Sequence, residues 1–155
     1  MKIISTFAPL LLLIFACRLC SMTGANNFDP YKGSLKDLLP NDPSVGLIKF
    51  KLDSSQPSDF DGATEGIKAS YTMQAGTISL PVELTVANFP SSRDAAAAVE
   101  AFANKHGLVV ETKSGGKRLT WSDGKSIMWS NGSLQCLATS SFAKTTSNLE
   151  EALPF

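Results

Sequence analysis

Three closely spaced turn dipeptides, Gly115-Gly116, Asp123-Gly124 and Asn131-Gly132, divide residues 108–139 into four short runs. Glycine in such pairs supplies the positive φ that tight turns require, and between alternating runs they are the strongest local signal for hairpins. The stretch therefore predicts a four-stranded antiparallel meander, and the rest of the chain must supply whatever covers it.

Side chains alternate faces along a strand, so the length of each loop fixes which residues share a face. A two-residue loop at Gly115-Gly116 sets Thr112 opposite Leu119 and Val110 opposite Trp121. A three-residue loop of Ser122, Asp123 and Gly124 keeps Leu119, Trp121, Ile127 and Trp129 together, with Gly124 left-handed in a bulge. A two-residue loop there would send the two tryptophans to opposite faces. At Asn131-Gly132, a two-residue loop places Leu134 opposite Trp129 and Cys136 opposite Ile127. The expectation is one dry face of Leu108, Val110, Leu119, Trp121, Ile127, Trp129, Leu134, Cys136 and Ala138. The opposite face, with Glu111, Lys113, Arg118 and Gln135, is wet and broken only by Val109, Met128 and Leu137.

Upstream, Ser34 caps a short helix that Pro40 ends, and Ile48, Phe50 and Leu52 alternate with polar residues as a half-buried strand. Residues 54–66 read as a long acidic surface loop. Ile67, Ala69, Tyr71 and Met73 then pair with Ile78, Leu80, Val82, Leu84 and Val86 in a hairpin. Pro81 has no amide hydrogen and must avoid a bonded site facing its partner, which a four-residue loop at 74–77 achieves by setting it opposite Ser70. Ser91-Ser92-Arg93-Asp94 opens a helix that Gly107 closes. Its stripe of Ala95, Val99 and Phe102 makes it the expected cover of the dry face. Ser147 and Glu150 form a capping box for a short terminal helix presenting Leu149, Ala152 and Leu153. Two strand-then-helix endings, at 82–106 and 134–153, suggest an old duplication. The class is α+β: an antiparallel sheet with a C-terminal four-stranded meander packed against one main helix and a short C-terminal helix.

With 155 residues, 43% of them hydrophobic, the chain suits one compact core. Fourteen basic residues balance fourteen acidic ones, so nothing favours nucleic acid as a partner. The chemistry is sparse. His106 is the only histidine and falls at a helix end, where the dipole favours its protonated form. Zinc needs three or four ligands, and the three cysteines are scattered between the N-terminal stretch and a strand interior. Cys136 reads as a buried small hydrophobe. Asp53, Asp59, Asp61 and Glu65 gather in one loop, but without the regular oxygen spacing of a calcium loop. Gly115-Gly116-Lys117 lacks the following helix of a phosphate site, and Asn131-Gly132-Ser133 matches a glycosylation sequon. No metal or cofactor is expected.

The N-terminus carries more information. Lys2 precedes an apolar run over residues 3–16, too short to span a membrane, which is a signal-peptide pattern. Ile14-Phe15-Ala16-Cys17 resembles the lipobox of bacterial lipoproteins, with Phe15 at a position that is more often small. That resemblance implies removal of residues 1–16 and lipid on Cys17. Residues 21–33, rich in Ser, Thr, Gly and Asn, read as a short tether, which divides the rest of the chain into a tether over 17–33 and a single domain over 34–155. The absence of Asp after Cys17, where Arg18 stands, implies the outer membrane over the inner. The alternative is plain secretion after cleavage near Thr23-Gly24-Ala25, and Cys20 fits either. The leading functional expectation is a non-enzymatic envelope lipoprotein, anchored to the membrane and acting as a binding or adaptor module for an envelope partner. Two alternatives stand beside it: a small hydrophobic-ligand or lipid carrier with Trp121 and Trp129 lining its slot, and a secreted hydrolase using the loop carboxylates with His106.

Overall fold

A computed structural model describes residues 30–113 and 116–155. The signal run, Cys17 and Cys20 lie outside the described residues, as does Gly115. The elements, in chain order, are α1 (Leu35–Leu38), β1 (Ser44–Val45), β2 (Ile48–Pro57), β3 (Glu65–Ala75), β4 (Ile78–Asn88), α2 (Ser92–His106), β5 (Glu111–Lys113), β6 (Gly116–Thr120), β7 (Ser126–Asn131), β8 (Leu134–Ser140) and α3 (Thr145–Ala152). They form one eight-stranded sheet in the order β1-β2-β3-β4-β8-β7-β6-β5, antiparallel throughout. The class is α+β, dominated by sheet.

Both faces of the sheet are covered over β4, β8 and β7, and this decides the register. The first face collects Phe50, Ala69, Tyr71, Leu84, Val86, Ile127, Trp129 and Cys136 under α1 and α3, with Leu35 and Leu149 fully buried. On the second face, Val99 and Ala103 of α2 meet Leu119 and Met128. Arg118 pairs with Trp129, Leu119 with Met128 and Thr120 with Ile127. Trp121 and Trp129 therefore lie on opposite faces, and the expected three-residue loop is wrong. The loop has four residues, 122–125, closed by Trp121 N–H donating to Ser126 O at 3.0 Å and Gly124 N–H to Trp121 O at 2.8 Å. Gly124 does take a positive φ of 68°. The three-residue loop follows only for a sheet with a single dry face. Met128 and Leu137, which read as breaks in a wet face, instead belong to a second core.

The other hairpins keep their expected parity and slide by two residues. Lys113 pairs with Gly116, so Thr112 faces Lys117 and not Leu119. Asn131 pairs with Leu134, so the turn is Gly132-Ser133, with the positive φ on Gly132 alone, as type II′ turns require. Trp129 consequently faces Cys136, not Leu134. Ala75 pairs with Ile78 around a two-residue turn, and Pro81 faces Thr72, not Ser70. Pairing of β4 with β8 ends at Val82, so the ring of Pro81 sits where β4 has become an edge.

Two further readings change. The long loop expected at 54–66 shrinks to residues 58–64: β2 continues to Pro57 through a bulge at Asp53, whose Oδ2 accepts from Thr72 Oγ1 at 2.7 Å, and β3 already begins at Glu65. Glu150 caps nothing. α3 starts at Thr145 after Lys144 in left-handed conformation, and the Glu150 carboxylate turns to Arg118. α2 follows its sequence signals, with Ser91 accepting from Asp94 N–H and Gly107 at φ 65°. α2 and α3 cover opposite faces of the sheet, whereas a two-fold exchanging antiparallel neighbours β4 and β8 would keep them on one face. The repeated strand-then-helix order is thus not a symmetric duplication.

Candidate functional site

The coverage of the second face by α2 is incomplete. Between the helix and the sheet lies an open groove of about 540 Å³, within the range of small-molecule sites. Its floor is Thr85 of β4, Met128 of β7 and Gln135 and Leu137 of β8; its wall is Ala98, Ala101, Phe102 and Lys105 of α2. Helical spacing accounts for the wall, since positions i, i+3, i+4 and i+7 share one face. Two alanines keep that side of the helix low. Gln135 Nε2 donates to the Met128 sulfur at 3.3 Å, so part of the polar floor is already occupied.

The remaining wall comes from the connection between β2 and β3. Ser58 N–H donates to Gly66 O at 2.9 Å, and Thr64 N–H to Asn88 O at 2.7 Å, which fixes the loop at both ends. Phe60 then lies across the backbone of Gly66, where any Cβ would collide with its ring. Phe60 packs with Phe89, Ala95 and Ala98 and forms the mouth of the groove with Asp61. Asp61 and Lys105 border the groove without an ion pair among the described residues. The lining is thus aromatic and aliphatic, with one carboxylate and one ammonium at the rim.

Neither tryptophan lines this groove. Trp121 lies tilted against Phe102, with ring centroids 5.4 Å apart, and Phe102 in turn stacks on His106 at 4.3 Å. Trp129 borders a smaller recess of about 170 Å³ with Lys113, Lys117, Arg118 and Glu150. There the Arg118 guanidinium grips Glu150, Nε at 3.0 and 3.1 Å and Nη2 at 3.0 Å from the carboxylate oxygens. Lys113 approaches at 3.4 Å. The hydrogen bond to Glu150 holds the Arg118 pKa above its ordinary value. This cluster ties α3 to β6 where the apolar part of the first face ends.

The other residues singled out by sequence are dispersed. Cys136 is fully buried, and burial pushes its thiol pKa up, which disfavours the nucleophilic thiolate. Glu65 Oε1 accepts from Leu35 N–H at 3.4 Å, and Asp53 is engaged by Thr72. Among the described residues, no three His, Cys, Asp or Glu side chains lie grouped as a metal site, and no buried side-chain nitrogen or oxygen lacks a hydrogen-bond partner. Ser133 of the sequon is buried and donates to Asn88 Oδ1 at 2.7 Å; its oxygen accepts from Tyr31 N–H at 2.9 Å, while Asn88 Nδ2 donates to Tyr31 O at 2.8 Å. Tyr31, placed in the tether by its polar neighbours, is therefore docked on the sheet. No helix among the described residues is long and apolar enough to cross a membrane.

Phe60, Phe89 and Lys105 were missed from sequence. The available signals were an aromatic residue between two aspartates in a polar connection and the apolar breaks Met128 and Leu137. The site is that of an α+β protein with an apolar groove between one helix and an antiparallel sheet. No protein-family model, no curated protein and no solved structure matches the chain.

Proposed function

We propose that the protein is a non-enzymatic, lipid-anchored module of the bacterial cell envelope that holds a small apolar ligand in the groove beneath α2. The single observation that carries the binding part is the groove itself: about 540 Å³, walled by Phe60, Phe89, Phe102, Met128 and Leu137. In this reading, β5 to β8 act as a C-terminal four-stranded meander, with α2 and its groove on one face and α3 on the other. Apolar surface of this kind favours a hydrocarbon chain or fused-ring compound by removing it from water. Lys105 suits a carboxylate or phosphate head at the rim. The anchoring part rests on the sequence Ile14-Phe15-Ala16-Cys17.

Each part has its own experiment. cis-Parinaric acid, fluorescent only in an apolar setting, should bind saturably, and Ala101→Trp should abolish binding by filling the groove while leaving the fold intact. Unaltered binding to Ala101→Trp would place the ligand elsewhere. Incorporation of radiolabelled palmitate should depend on Cys17 and vanish in Cys17→Ala. An unlabelled chain beginning near Asn26 would identify plain secretion instead. Of the loop carboxylates that a hydrolase would draw on, Glu65 accepts from Leu35 N–H and Asp53 from Thr72 Oγ1, while Asp61 borders the groove.

A further inference from the structure

Among the described residues four large hydrophobic side chains are exposed, and three of them lie at the same end of the sheet, Leu47 and Phe142 in turns and Ile78 at the start of β4. The pairings fix this placement. Val45 faces Ile48 and Lys49 faces Gln74, so the β1–β2 turn carrying Leu47 lies beside the β3–β4 turn before Ile78. β8 runs antiparallel to β4 and ends at Ser140, so Phe142 leaves the sheet at that end too, where the β6–β7 loop also lies. Leu47 is 95% exposed. A single exposed apolar side chain is ordinary, but three on one end call for a partner.

Two features describe that partner. The turns are tight and protruding: Gly46, Gly76 and Gly124 take positive φ, and a Cβ at Gly46 or Gly76 would meet nothing within 4 Å, so these tips stand clear of the body. Lys144, left-handed at φ 68°, holds the segment after Phe142, and Ser140 Oγ pins its start by donating to Pro81 O at 3.0 Å. The charge is one-sided. Lys49, Lys125 and Lys144 are exposed around the tips and make no ion pair among the described residues. Asp123, the one carboxylate in these turns, accepts from Lys125 N–H.

We infer that this end of the sheet seats on an anionic phospholipid bilayer, with Leu47, Ile78 and Phe142 entering the headgroup boundary and the three lysines meeting lipid phosphates. Apolar tips ringed by cations match the interfacial layer, which offers hydrocarbon a short distance below negative charge. The docking is independent of the groove and of any lipid on Cys17. It is also compatible with both. Tyr31 is held at the opposite end of the sheet by Ser133, β3 is roughly 36 Å long, and residues 18–30 reach at most roughly 45 Å. A chain tethered through Cys17 therefore has enough length to turn its far end to the same membrane.

The test uses the full chain with vesicles of phosphatidylglycerol and brominated phosphatidylcholine. Leu47→Trp, Ile78→Trp and Phe142→Trp each add a reporter at the tips, and Asn131→Trp, exposed at the opposite end, is the control. Bromine quenching and a blue shift are expected at all three tip positions and not at Asn131→Trp, and Lys125→Glu with Lys144→Glu should remove them. Equal quenching at all four positions, or at none, overturns the assignment. So does equal quenching in vesicles of brominated phosphatidylcholine alone. A blue shift without vesicles, accompanied by dimers in sedimentation, would overturn it in favour of a second copy of this chain. The three reporters occupy exposed sites in separate segments of the chain, so misfolding of one leaves two to decide.

Discussion

Replacing Glu150 with Gln preserves shape while removing the charge that Arg118 grips, and it isolates the contact that holds α3 over the first face. The pair makes three nitrogen–oxygen contacts of 3.0 to 3.1 Å, with side chains 17% and 10% exposed. Removing one partner of a fully buried pair costs about 3–5 kcal/mol, because the other charge is left without a partner. Here Thr120 still accepts from Arg118 Nη1 at 2.8 Å, and the half-exposed Lys113 side of the cluster admits water. The expected loss is therefore about 2–3 kcal/mol, or roughly 8–11 °C in Tm for a domain of this size. Urea unfolding followed by the fluorescence of Trp129, which pairs with Arg118 across β6 and β7, measures it. The double variant Arg118→Met with Glu150→Leu should recover most of the loss, since apolar side chains of similar volume replace buried ion pairs with little net cost. A loss below about 0.5 kcal/mol for Glu150→Gln, the range of an ordinary surface change, would refute the account of how α3 is held.

Other consequences are equally direct. Gly116→Ala drives a methyl group into the Ser130 carbonyl, a backbone atom that cannot swing aside; a loss of at least about 2 kcal/mol is expected, and an unchanged urea midpoint would show that β6 lies farther from β7. Leu149→Ala, at a fully buried site in the core under α3, should cost about 2–5 kcal/mol, and a change within the noise of thermal denaturation would mean that α3 does not seal that face. Burial raises the Tyr71 pKa above its usual value of 10, so its contribution to stability is present below about pH 10 and is lost as pH rises through the folded value; urea midpoints should fall on that alkaline limb less steeply in Tyr71→Phe than in the wild-type chain. Cys136 should resist maleimide in the folded protein and react only on unfolding, which peptide mapping at increasing urea would check against its full burial.

Legibility in the sequence was uneven, and each failure has a physical cause. Caps are local, so α2 from Ser91 to Gly107 follows from its residues alone. Turn dipeptides announced hairpins but left their centres undetermined, because Gly132 serves Gly132-Ser133 as well as Asn131-Gly132. The register between β6 and β7 needed knowledge of what covers each face, and no periodicity within residues 108–139 carries it. Met128 and Leu137 were the clue to a second covered face, and that same face carries the groove. Glu150 satisfied a capping pattern at Ser147, yet a partner 32 residues away took its carboxylate. Phe60 gained its position only through Gly66, whose missing side chain leaves room for the ring. The site lay in contacts between distant segments, while the elements that build it lay in local pattern.

Binding in the groove beneath α2 is tested most directly by the methyl resonances of methionine. Met128 lies on the groove floor, while Met73 is buried on the other face of the sheet. With methyl-labelled methionine and a titration of palmitic acid below its micellar concentration, Met128 should shift saturably and Met73 should stay in place. If Met128 is unmoved, or if Met73 moves with it, apolar ligand does not occupy the groove and the proposed function is contradicted.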